Sequence, residues 1–122
     1  MILHIFNNAE EIGKAVANLI IEQVNEKPDS VLGFATGASP VPTYQALIKA
    51  YNKGKVSFKD ITTFNLDEYC DLPKDDKNSY YTFMHENLFN SVDIKEENVH
   101  ILDGNAADAD AEAKAFDAAI DA

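Results

Sequence analysis

Arginine and tryptophan are absent from this chain of 122 residues, and cysteine occurs once. Each shortage closes off some chemistry. The lone thiol, Cys70, cannot make an intrachain disulfide or a cysteine-based metal site, which fits a reducing compartment. All ten basic residues are lysines. A phosphate held here must therefore rest on lysine or on backbone amides, because the planar guanidinium fork is missing. With 21 acids and a net charge of −11, the balance argues against a duplex nucleic acid partner, which would want a basic face. No apolar run nears the roughly 18 residues of a membrane span. "MILHIFNNAEEIGK" also lacks the cationic start and small-residue cleavage site of a secretory signal, so the expectation is cytoplasmic, without a membrane partner. Neither a Walker "GKS/GKT" nor a G-x-G-x-x-G fingerprint occurs.

What is present suffices for one globular α/β domain over residues 1–122. Hydrophobic residues make up 46% of the chain, enough for a core. "ILHIF" (2–6) has the pattern of a short strand. Asn8 and Glu11 then mimic a capping box. Ile12, Val16, Leu19, Ile20 and Val24 follow at helical spacing and predict one apolar stripe to about residue 25. "SVLGFA" (30–35) is almost continuously apolar, as a strand covered on both faces would be. A helix over 41–52 presents Tyr44, Leu47, Ile48 and Tyr51; a strand follows at 61–66, a helix at about 79–90, a strand at 99–102, and an alanine-rich helix at the end. This alternation predicts a parallel sheet with helices on both faces, Rossmann-like and open doubly wound. The chain stops within the last helical pattern without a glycine, proline or basic cap, and so reads as truncated. Ala111, Phe116 and Ile120 would leave an apolar stripe there, open to two readings: a consequence of truncation, or a homo-oligomer face.

Parallel strands point one way, so the loops after the strands at 30–35 and 61–66 share an edge, where such sheets bind ligands. "ATGASP" lies in the first loop. Gly37 and Ala38 allow close backbone approach, Ser39 is a good N-cap, and Pro40 suits the first helical position. Free amides at such a helix start attract an anion, and Thr36 and Ser39 add hydroxyls. An anion cradle and a plain capped turn both remain open. In the second loop, Asp67 and Glu68 directly follow the strand. Side chains alternate along extended chain, so one of the two would face the crevice. A carboxylate partly shielded by Phe64, Leu66 and Tyr69 can move protons at carbon; solvated loop acids are the plainer alternative. His4, His85 and His100 have no ligand spacing, and no metal is assigned. Asp108, Asp110 and Glu112 read as a solvated face, and Tyr80, Tyr81, Phe83, Met84, Leu88 and Phe89 mostly as core.

Three stretches, "GFATGASPVPTYQAL", "VSFKDITTFNLDEYCDLPKDDKNSYYTFMHENLF" and "VDIKEENVHILDGNA", resemble the first half of the glucosamine/galactosamine-6-phosphate isomerase family, in its deaminating branch. The likeness spans essentially the whole chain. It implies that Thr36, Gly37, Ala38 and Ser39 cradle a sugar phosphate. It also implies that Asp67 of "N-x-D-E-Y" is the proton-transfer base, that Glu68 belongs to the substrate-binding signature, and that Tyr80 lies near the substrate. The implied reaction is glucosamine-6-phosphate deamination to fructose 6-phosphate and ammonia, in amino sugar catabolism, with no metal or organic cofactor. The family's later "G-x-G-x-D-G-H" segment and its basic phosphate ligands are absent, so the resemblance implies that this polypeptide alone is a poor catalyst. Ammonia release by it would contradict that. Three alternatives stay open: a 6-phosphogluconolactonase, which usually shows "DER" where this chain has "DEY", galactosamine 6-phosphate as substrate, and a non-catalytic sugar-phosphate-binding module.

Overall fold

In the computed structural model, which describes residues 1–122, the Asn8 side chain accepts from the Glu11 amide at 2.9 Å. The Glu11 carboxylate reaches back to the Asn7 amide at 3.0 Å. This reciprocal cap opens α1 (Ala9–Glu26). The chain continues through β1 (Val31–Gly33), α2 (Val41–Asn52), β2 (Thr62–Asn65), α3 (Tyr80–Asn87), β3 (Val99–Ile101) and α4 (Ala109–Asp121). Single 3₁₀ turns at Phe89–Ser91 and Glu96–Asn98 lead into β3. The sheet is parallel in the order β1–β2–β3, with Leu32 beside Thr63 and Phe64 beside His100.

One face of the sheet carries the main core. Leu47, Ile61, Phe58, Met84 and Leu88 are essentially sealed from water there, with Leu32, Val99 and Ile101 packed against them from the strands. Burying such side chains contributes about 1.5–3 kcal/mol each. The opposite face is covered by α4: Phe116 meets Phe64 edge-on at 5.5 Å, and Phe64 stacks on His100 at 4.6 Å. Helices thus lie on both faces, as the alternation of patterns requires. No helix is long and apolar enough to cross a membrane.

Five expectations need correction. Residues 2–6 form no strand, and Ile2, Leu3 and Ile5 are exposed. An apolar run becomes a strand only where another strand offers its backbone, and none lies beside it. On α1 the packed side is Gly13, Ala17 and Val24, while Ile12, Val16 and Leu19 face outward. The reason is proximity. A Cβ on Gly13 would lie 2.6 Å from the Pro42 carbonyl carbon, so α1 and α2 cross too closely for a large side chain at their contact. β1 is not covered on both faces, since Val31 is 61% exposed; α4 reaches only the β2–β3 side. Finally, Phe116 is buried rather than exposed, Asp108 caps α4 through the Ala111 amide at 3.1 Å, and Glu112 accepts from the Asp103 amide at 2.9 Å.

Candidate active site at the carboxyl edge of the sheet

Chain direction carries the segments after β1 and β2 to one edge. After β1, Phe34 still pairs with Phe64 across the sheet (2.9 Å), and then the chain turns. Two side chains hold that turn by its carbonyls. Asn65, at the end of β2, donates from Nδ2 to the Phe34 carbonyl at 2.8 Å, and the Tyr44 hydroxyl donates to the Ala35 carbonyl. Tyr44 is buried, and burial pushes its phenol up to about 12, with the bond to Ala35 pulling the other way. Asn65 is buried too, its Oδ1 without a protein partner. An unpaired buried acceptor costs about 1–3 kcal/mol, so packing alone does not favour an asparagine at this place; the loop it grips does.

The gripped loop presents donors. The amides of Thr36, Gly37, Ala38, Ser39 and Thr43 donate to no protein acceptor. Gly37 sits at φ +96, a backbone that a side chain would resist. The local helix start differs from the sequence expectation. Pro40, not Ser39, occupies the N-cap, Ser39 makes no capping bond, and Pro42 falls in the first turn. Two prolines remove two amides from the helix end, so the free donors lie chiefly in the loop before α2. Gly37, Ala38 and Ser39 are exposed and Thr36 is half-buried.

After β2 the two acids part ways. Glu68 turns toward α3: its Oε1 accepts from the Tyr69 and Tyr80 amides and its Oε2 from the Tyr81 amide, each at 2.9 Å. A carboxylate on free amides at a helix start is stabilised by hydrogen bonds and by the helix dipole. With both oxygens so engaged, Glu68 anchors α3 instead of facing a ligand. Ser79 completes the cap, accepting from the Thr82 amide at 3.1 Å. Asp67 is exposed and has no hydrogen-bond partner in the protein.

The anchored helix delivers Tyr80. Its hydroxyl donates to the Tyr69 hydroxyl at 3.3 Å, and the two rings lie 4.8 Å apart at a tilt of 36°. That hydroxyl is held above its ordinary pKa, first by the bond to Tyr69, then by burial and the charge of Tyr69. The charge of Asp67 adds to this, and a hydrogen bond with Thr36 opposes it. One phenol therefore senses both loops, and Thr36, Tyr80 and Asp67 share a neighbourhood. Beside it lies an open hollow of about 450 Å³ walled by Tyr69, Cys70, Asp71, Leu72, Asn78 and Tyr80.

A third loop, after β3, closes the arrangement. The Asp71 amide donates to the Gly104 carbonyl at 3.1 Å, and Asn105 Nδ2 donates to the Leu72 carbonyl at 2.7 Å. Gly104 is required by contact, because a Cβ there would stand 1.8 Å from the Tyr69 carbonyl oxygen. Changing Gly104 to Ala must push the Tyr69 segment away. The expected result is a loss of about 1–3 kcal/mol, as for overpacked cores, with the Tyr69–Tyr80 ring contact disturbed. Urea unfolding and a crystal structure of the variant would check both; an unchanged midpoint with Tyr69 in place would refute the contact.

Other candidates lie elsewhere. His85 uses Nδ1 toward the Tyr81 carbonyl (2.7 Å) and Nε2 toward Glu96 (2.8 Å) on the far side of α3. Burial raises the Glu96 carboxyl, but hydrogen bonds from His85 and Tyr81 outweigh it and hold the group below its ordinary range. His100 is taken up by its stack on Phe64. Asn65 and Tyr44 were missed by sequence reasoning, which read Tyr44 as core and Asn65 as strand. An amide at the last position of a strand before a ligand loop was the available signal for Asn65.

Known proteins share this fold. The profile of the glucosamine-6-phosphate isomerases/6-phosphogluconolactonase family matches residues 7–122. The chain is 52% identical over 116 residues to a glucosamine-6-phosphate deaminase of Lysinibacillus sphaericus (strain C3-41), covering 95% of this chain and 49% of the relative. It is 47% identical over 119 residues to a glucosamine-6-phosphate deaminase of Proteus mirabilis (strain HI4320), covering 93% and 44%. The solved structure of a monomeric glucosamine-6-phosphate deaminase superposes with a TM-score of 0.95 at 39% identity, over 99% of this chain and 50% of that one. A 6-phosphogluconolactonase from Thermotoga maritima shares the fold, with a TM-score of 0.73 at 21% identity over 96% and 51%. The chain spans about half the length of the curated relatives it matches.

Proposed function

The chain belongs to the glucosamine-6-phosphate isomerase/6-phosphogluconolactonase family, and from that premise we propose that it supplies the proton-transfer half of a glucosamine-6-phosphate deaminase site. The observation that carries this reading is that the loops after β1 and β2 are joined at one sheet edge, Asn65 Nδ2 holding the Phe34 carbonyl at 2.8 Å, with Asp67 two residues further on, exposed and without a protein partner. A phosphate at the free amides of residues 36–39 would then leave the sugar carbons within reach of a carboxylate that has no protein partner. The names borne by the relatives at 52% and 47% identity favour deamination over lactone hydrolysis.

In this reading the substrate opens to its aldehyde form. The Asp67 carboxylate removes the proton from C2, giving an enolamine, and returns it to C1. C2 is then an imine, which water converts to the ketone of fructose 6-phosphate with release of ammonia. One base serves both carbons because they are neighbours, and holding the phosphate fixes which carbons meet it. Residues 1–122 form the first part of the catalytic domain, acting in cytoplasmic catabolism of amino sugars derived from N-acetylglucosamine, and a homo-oligomer is compatible with it.

The test is a chimaeric chain in which residues 1–122 precede the second half of the Lysinibacillus sphaericus relative. It should release ammonia from glucosamine 6-phosphate and leave 6-phosphogluconolactone unhydrolysed. A folded chimaera that binds the amino sugar phosphate yet releases no ammonia, or that opens the lactone, would overturn the assignment.

A further inference from the structure

We propose that the furrow between α1 and α2 is an anion site separate from the Thr36 loop, fitted to a small molecule carrying a short chain of phosphates. Only ten cations occur in a chain with 21 acids, yet four of them, Lys14, Lys49, Lys53 and Lys55, line one furrow of about 230 Å³. The furrow continues past Lys14 and Lys49 into a second hollow of about 180 Å³ that also includes Gln45. Lys14 has a weak ion pair with Glu10 at 3.6 Å; Lys49, Lys53 and Lys55 have none.

This grouping is produced by the fold. Gly13 against Pro42 brings the helices close, and Ala17, Ala46 and Ala50 keep the floor low. After α2 the chain doubles back, the Lys55 amide donating to the Ala50 carbonyl at 2.9 Å, so that Lys55 joins the lysines of the helix. Lys49 and Lys53 stand one helical turn apart, where like charges repel. In a chain this acidic, a carboxylate among them would relieve that repulsion, and apart from Glu10 at one end none is there. A bound anion would do the same.

The shape selects the ligand. At about 230 Å³ the furrow offers the space of a small molecule, less than a docked segment of chain would fill. Separate ammonium groups strung along a groove suit several anionic centres in a row, since each lysine acts as a point charge. The furrow shares no lining residue with the hollow at Tyr69 and Tyr80, so its occupancy does not depend on the function proposed above.

Tripolyphosphate is the probe, titrated into the protein and followed by amide chemical shifts and by calorimetry. Shifts are expected at residues 14–21 and 45–55, weakening as salt is raised. A Lys49→Gln/Lys53→Gln variant, with both changes on exposed positions or at the helix end, should bind the probe about tenfold more weakly or worse while keeping its unfolding midpoint. Shifts confined to residues 36–43, no shifts, or equal affinity in the variant would overturn the proposal. So would tighter binding of a hexaglutamate peptide at the same amides, which would assign the furrow to acidic polypeptide.

Discussion

Asp67→Asn in the chimaera is expected to lower kcat for ammonia release by about 10²–10⁴-fold, the usual contribution of a positioned general base, and to change KM by no more than about twofold. The substitution keeps size and shape and removes only the ability to take a proton. Because Asp67 is exposed and bonded to nothing in the protein, the fold has no reason to respond, and the unfolding midpoint should stay where it was. A second readout separates proton transfer from ring opening or hydrolysis: with substrate deuterated at C2, the isotope effect on kcat should rise in the variant, because removal of that hydrogen becomes the slow step. An Asp67→Asn variant retaining kcat within about threefold would remove Asp67 from the mechanism, while a loss confined to KM would make it a binding residue.

Glu68→Ala is expected to act on structure first. It strips three backbone amides, at Tyr69, Tyr80 and Tyr81, of a charged acceptor. Hydrogen bonds to charged groups contribute about 1.5–3 kcal/mol each when buried. Glu68 is half-buried and water can replace part of what it provides, so a total loss of about 2–4 kcal/mol is expected. Glu68→Gln should fall between the parent and the alanine variant. Its single carbonyl oxygen can serve either the Tyr69 and Tyr80 amides or the Tyr81 amide, and it carries no charge for the helix dipole. The functional consequence passes through Tyr80, whose place at the edge depends on the first turn of α3. Chemical denaturation would order the three proteins, and an alanine variant as stable as the parent would show that the carboxylate contributes nothing net.

The two neighbouring acids mark the boundary of what could be read from sequence. Alternation along extended chain required Asp67 and Glu68 to diverge. It could not say which would be consumed, because the amides that take up Glu68 belong to residues 12 and 13 positions further on. The same boundary runs through α1. Its helical period was plain, but a period defines a stripe and not its partner. With apolar residues around much of the cylinder, the packed side was chosen by how closely α2 approaches. Ser39 looked like a cap by composition, yet the prolines on either side of Val41 shifted the helix start.

Local physics in the amino-acid sequence by itself determined the kinds of element and their order after residue 8, the cap at Asn8, the parallel sheet, and the gathering of the loops after β1 and β2 at one edge. Each of these depends on residues a few positions apart or on chain direction. Tertiary structure alone decided which carboxylate stays free, that Gly104 must lack a side chain beneath Tyr69, that residues 2–6 find no strand partner, and that four lysines share one furrow. Those outcomes depend on groups far apart in the chain meeting at contact distance, where sterics and hydrogen-bond satisfaction choose among alternatives that the local pattern leaves equal.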